Sequence, residues 1–268
     1  ILVDHASLAL TNGEYQLHIP AGTFTDQGVN GGNANAVQSI TFKVTGSTAD
    51  TTKPTLNGPV VETATNGQFD VTFDAAVKGG NVAGSATNVA NYKLDGAALP
   101  AGTTITLNPA RTIATITLPA GTLETSKTHT FTVSNVQDDA GNVIDTTTVT
   151  VDLTDNTEPE LLAAKVNADG KLVLTFSDNV DGLLDGGAGT AINLADLEIY
   201  VNDVDVTADV QLAAGSKETE VLVEDAPGGT VVSFATGTIV VKTVNTGITT
   251  TDLAGNTLKA STSVTAPR

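Results

Sequence analysis

Four short segments of this chain occur twice, in the same order, roughly a hundred residues apart. Asp50-Thr51-Thr52-Lys53-Pro54-Thr55-Leu56 returns as Asp155-Asn156-Thr157-Glu158-Pro159-Glu160-Leu161. Gly67-Gln68-Phe69-Asp70-Val71-Thr72-Phe73 returns as Gly170-Lys171-Leu172-Val173-Leu174-Thr175-Phe176. Asn88-Val89-Ala90-Asn91-Tyr92 returns as Asn193-Leu194-Ala195-Asp196-Leu197, and Asp138-Asp139-Ala140-Gly141-Asn142 as Asp252-Leu253-Ala254-Gly255-Asn256. One order at a nearly fixed offset marks two copies of one folding unit. Each copy must bury its own apolar surface, so the chain is a row of similar small modules.

Within each copy the apolar residues alternate. Phe69, Val71 and Phe73 fall on one face of a strand, as do Leu172, Leu174 and Phe176. Ile113 to Leu118 and Thr130 to Val136 carry the same period. Turn chemistry cuts the strands short at Asn12-Gly13, Asn66-Gly67, Asp95-Gly96, Asp169-Gly170 and Pro227-Gly228-Gly229. Only 83–90 and 191–197 suit a turn of helix. Short strands repeating over about 100 residues predict an all-β fold of tandem immunoglobulin-like β-sandwiches. The modules run 1–47, 48–153 and 154–268. The first is partial: it holds the second half of a repeat, with strands at Tyr15 to Ile19 and Ser39 to Val44. Its edges are expected to be exposed or paired with something else. The joints before Pro54 and Pro159 are short, which favours semi-rigid spacing.

Composition removes whole classes of function. Thirty Asp+Glu against 12 Lys+Arg give a net charge of −18 over 268 residues, which argues against nucleic acid. The absence of Cys excludes disulfides and thiolate metal sites. No apolar run approaches a membrane span, and no signal peptide is recognisable. The chain starts at Ile1 and ends at Arg268, so we expect a fragment of a longer mature protein.

The repeated motifs resemble the bacterial Ig-like modules of surface-layer (S-layer) proteins from Bacillus-type Gram-positive bacteria. The resemblance rests on the Asp-x-x-x-Pro joint, the strand ending in Phe73 or Phe176, the Asn-x-Ala-Asn/Asp segment and the Asp-x-Ala-Gly-Asn turn. It covers essentially the whole chain, with Asp26 to Asn30 a departing version of that last turn. The motifs specify the module more than the S-layer, since adhesins and wall-associated hydrolases carry similar ones. The resemblance implies an extracellular, non-enzymatic structural protein that assembles with identical copies into a lattice, often with calcium. Wall anchoring would lie outside this chain. The alternatives are a surface adhesin's stalk or binding modules, and accessory modules of a secreted hydrolase.

Recurring carboxylates are the main candidates for chemistry. In a sandwich of this kind the chain enters at the end that carries the loops after the second and sixth strands. Asp50, Asp74, Asp138, Asp139 and Asn142 are expected to converge there, as are Asp155, Asn156, Asp178, Asp252 and Asn256 in the next module. Convergent hard oxygens suit Ca²⁺. The same residues also start turns by bonding their own backbone, so the turn-only reading stands beside the calcium one.

The remaining features point away from catalysis. No Lys or Arg lies between Leu172 and Ser216, yet Asp178, Asp181, Asp185, Asp196, Glu198, Asp203, Asp205 and Asp209 do. We read this run as a solvated acidic face, with cations or a basic partner as the sharper alternative. Asp178 to Gly182 departs from the calcium-loop pattern, because Val180 stands where a ligand is needed. Asp203 and Asp205 share a predicted strand face, but a glycosidase cleft needs sugar platforms, and the chain has three Tyr and seven Phe. His5, His18 and His129 lack triad or metal spacing and are read as exposed strand histidines. Gly182 to Gly189 is read as a loop insertion rather than a phosphate cradle.

Overall fold

The computed structural model describes residues 10, 12–26, 32–44, 50–180, 192–214, 216 and 219–267. Every strand pair in it is antiparallel. The chain opens with a hairpin, β1 (Gly13–Ile19) against β2 (Gln38–Val44). Two sandwiches follow.

The first sandwich contains β3 (Val61–Glu62), β4 (Gln68–Thr72), β5 (Tyr92–Leu94), β6 (Ala97–Ala98), β7 (Thr104–Leu107), β8 (Ile113–Thr117), β9 (Lys127–Val133) and β10 (Thr147–Leu153). Its sheets run β3-β4-β8-β7 and β10-β9-β5-β6. The alternation read from the sequence sets what lies between them. Phe69 and Val71 on β4 pair with Ile116 and Ala114 on β8, and all four are fully buried. Phe131 on β9 closes the layer, edge-on to Phe69 at 5.1 Å and stacked on Tyr92 at 5.6 Å.

The second sandwich repeats the plan with β11 (Leu161–Val166), β12 (Leu172–Phe176), β13 (Leu197–Val201), β14 (Val204–Asp205), β15 (Val210–Leu212), β16 (Glu220–Asp225), β17 (Ile239–Thr243) and β18 (Ser263–Ala266). Its sheets run β11-β12-β16-β15 and β14-β13-β17-β18. One core draws on residues from Val60 to Leu153, the other on residues from Leu161 to Ala266. Two opposed antiparallel sheets over a separate core make each an immunoglobulin-like sandwich. Among the described residues, helix is confined to single 3₁₀ turns. Val89–Asn91 and Leu194–Asp196 are started by Asn88 and Asn193, whose side chains accept the Ala90 and Ala195 N–H. That is the local reason for the Asn-x-Ala-Asn/Asp repeat.

Two expectations are corrected. His129 is buried, with Nδ1 donating to Asp95 Oδ2 at 2.7 Å, because it lies on the inward face of β9 two residues before Phe131. His18 is exposed, and His5 lies outside the described residues. Asp203 shares no strand face with Asp205. Asn202 and Asp203 both have positive φ and form the tight turn between β13 and β14, which leaves only Asp205 on a strand.

Candidate functional site

Residues 154–157 join the sandwiches, and they are bonded to both. Thr154 donates through N and Oγ1 to the Glu62 carboxylate. Asp155 N donates to Ser126 Oγ. The Asn156 side chain is held by the first sandwich. Its Oδ1 accepts the N–H of Thr122 and Leu123 at 3.1 and 2.9 Å, and its Nδ2 donates to Pro119 O at 3.1 Å. On the other side, the Asp252 carboxylate accepts Asn256 N and Nδ2, which closes the Asp-x-Ala-Gly-Asn turn. Asn256 Nδ2 also reaches Asp155 O at 3.1 Å.

These bonds carry Asp155, Asp178 and Asp252 to one place. One carboxylate oxygen from each lies within 4.8 Å of the others. Asp155 and Asp252 are buried and Asp178 is partly buried. Asp155 and Asp178 line a cleft of about 310 Å³, with Glu124, Thr125, Ser126 and Asn179 and with Leu253, the neighbour of Asp252. Burial pushes the Asp155 carboxyl up to about 6, and the neighbouring Asp178 and Asp252 push the same way. Three carboxylates this close repel one another when ionised. The donor set fits a hard divalent cation, which takes six to eight oxygens and accepts carboxylates singly or bidentate. Asn256 and Asn156 serve the backbone of the joint, by the bonds given above.

The first joint repeats the turn but not the cluster. Asn142 bonds Asp138 and reaches Asp50 O at 3.1 Å, just as Asn256 bonds Asp252 and reaches Asp155 O. Asp74 is held elsewhere: its carboxylate accepts Thr55 N and Oγ1, both at 2.7 Å, and these bonds hold it below the usual carboxylate range. Asp74 N donates to Thr55 O, as Ser177 N donates to Glu160 O. Asp74 therefore corresponds to Ser177, and the residue matching Asp178 is Ala75. Asp139 forms a two-pronged ion pair with Arg111. The structure thus gathers Asp155, Asp178 and Asp252, and does not gather Asp50, Asp74, Asp138 and Asp139 in the same way.

The acidic run of the second sandwich is dispersed. Asp178 lies at the joint, Asp196 is buried, and Asp203 and Asp205 sit on an exposed hairpin. Asp181, Asp185 and the Gly182–Gly189 loop lie outside the described residues, as do 27–30. Sequence reasoning missed Glu62 and Asn66. Asn66 Nδ2 donates to Asp155 O and to Ala254 O, both at 3.0 Å. The only signal was the Asn66-Gly67 turn itself.

No protein-family model matches the chain, and no curated protein matches it. Solved structures similar to it include the titin I-band fragment I67–I69, at 14% identity and a TM-score of 0.31. They also include the N-terminal part of the bacterial S-layer protein SbsC, at 15% and 0.30, and the tandem Ig repeats of Dlar, at 10% and 0.23. These cover 80%, 81% and 80% of this chain. The chain spans 65% of the titin fragment, 45% of the S-layer fragment and 98% of the Dlar repeats.

Proposed function

We propose that this chain is a structural segment of a self-assembling extracellular surface layer of the S-layer kind, with a Ca²⁺ ion stiffening one of its joints. The meeting of Asp155, Asp178 and Asp252 between the two sandwiches carries the reading. In this reading 1–47 closes one module, and 48–153 and 154–268 are complete ones. The role is mechanical rather than catalytic. The partners are identical copies, with wall anchoring supplied outside this chain.

Asp155 comes from the joint, Asp178 from the loop after β12 and Asp252 from the closing turn. The joint is held to the first sandwich through Thr154 and Asn156, and the other two carboxylates belong to the second. A bound cation would supply positive charge where three carboxylates repel. The three residues would then hold joint and sandwich at a fixed spacing. The motif resemblance to S-layer modules supports the assembly part of the reading. The net charge of −18 supports it too, since self-repulsion keeps single copies apart until cations screen it.

Thermal melts with millimolar Ca²⁺ and with chelator test the cation. A rise of about 5 °C with Ca²⁺ is expected, lost in Asp178→Asn. Coincident curves would remove calcium from the reading. Electron micrographs of the parent protein test the assembly. Periodic sheets are expected, whereas dispersed rods would favour the stalk of an adhesin.

A further inference from the structure

The turn between β3 and β4 meets the joint and the second sandwich through two residues with separate roles. Asn66 is the donor: its Nδ2 bonds Asp155 O in the joint and Ala254 O in the closing turn of the second sandwich. Asp155 O thereby accepts an amide from each sandwich, Asn66 from the first and Asn256 from the second. Gly67 is the seat. Its φ is +72°, and a Cβ there would lie 2.3 Å from Asn156 Nδ2. Any side chain at 67 would have to displace the amide that bonds the joint to Pro119, Thr122 and Leu123.

The matching turn of the second sandwich provides the contrast. Asp169 stands where Asn66 stands, and a carboxylate has no N–H to donate. Gly170 has a φ of +77°, nearly that of Gly67, but a Cβ there meets nothing within 4 Å. The positive φ belongs to the turn in both repeats, whereas the close approach belongs to this joint alone of the two turns. Linked domains move relative to one another by default. Here the linking segment has its polar groups satisfied by both neighbours.

We infer that Asn66 and Gly67 form a latch that makes the two sandwiches unfold as one cooperative unit. The inference does not rest on cation binding, since the latch bonds go to main-chain oxygens. Calorimetry of the full chain in chelator tests it. The native protein is expected to show one main transition, with a calorimetric-to-van't Hoff enthalpy ratio of about one. Gly67→Ala and Asn66→Ala are expected to split it into two transitions, with a ratio of about two. Gly170→Ala carries the same backbone strain without the collision, and Asp169→Ala alters the matching turn. Both are expected to keep a single transition, even where its midpoint falls. Two separate transitions in the native protein would overturn the inference. So would a single transition in Asn66→Ala, the variant without backbone strain, which also decides the matter where Gly67→Ala does not fold.

Discussion

Asn91 and Asp196 occupy matching positions in the two repeats and differ by one polar group. Asn91 Nδ2 donates to Ala83 O and Ser85 O. Asp196 faces the opposite chemistry: its Oδ2 accepts the N–H and hydroxyl groups of Thr249 and Thr250. Burial pushes the Asp196 carboxyl up, but those hydrogen bonds outweigh it and hold the group below its ordinary range. Its stabilising effect is therefore present above the unfolded value of 3.8 and is lost as pH falls below it. Asp196→Asn turns an amide toward four donors and is expected to destabilise the second sandwich by about 2–4 kcal/mol, measured by urea denaturation. Asp155 has the opposite sign. Its carboxyl is raised to about 6, so its contribution is fully present below the unfolded 3.8 and is lost as pH rises through about 6. In chelator, the melting temperature is expected to fall across that window, and Asp155→Asn is expected to flatten the fall. Both carboxylates are plain Asp residues in the sequence. Only the groups folded around them assign the sign.

At the scale of elements, β1–β2 and β9–β10 share one geometry and differ in cover. Leu17 pairs with Ile40 as Phe131 pairs with Val149. Phe131 is 0% exposed because β4 lies across it, whereas Leu17 is 38% and Ile40 50% exposed. Phe131→Ala is expected to cost about 3–5 kcal/mol in urea denaturation, and Leu17→Ala less than about 0.5 kcal/mol. The alternation of Phe69, Val71 and Phe73 was legible because period two puts every second residue on one face. The burial of His129 was not. It has the inward phase of Phe131, but a polar residue is assigned to the outside until Asp95 is known to be its partner. The match of Asp74 to Asp178 failed for a different reason. Asp74 directly follows the strand-ending Phe73, whereas Asp178 lies two residues after Phe176, and the backbone bonds to Thr55 and Glu160 bear out that one-residue difference.

At the scale of the molecule, the described residues of the opening segment contribute nothing to either core. A chain shortened to 50–268 is expected to melt within about 2 °C of the full one, by circular dichroism, because its cores and its joint are intact. The charge is divided unevenly. Residues 154–268 hold 17 of the 30 carboxylates and six of the 12 cationic side chains. Much of this charge is spread over hairpins and ion pairs such as Lys171–Glu224, and the joint concentrates three carboxylates. Raising ionic strength is therefore expected to relieve the dispersed repulsion but to leave most of the Ca²⁺-dependent shift, since screening is weak at a buried cluster. Melts at 0.05 and 0.5 M monovalent salt, with and without Ca²⁺, check this.

The sequence by itself determined the repeat, the strand faces and the turns. These depend on local periodicity and on turn residues that bond their own backbone, and both are written in order along the chain. Only the tertiary structure decided which acidic residues remain together, that Asn66 reaches across to Asp155 and Ala254, and that Gly67 leaves room for Asn156. Those outcomes depend on which hydrogen-bond partner is within about 3 Å, and that distance is fixed when two separately folded cores set the joint between them.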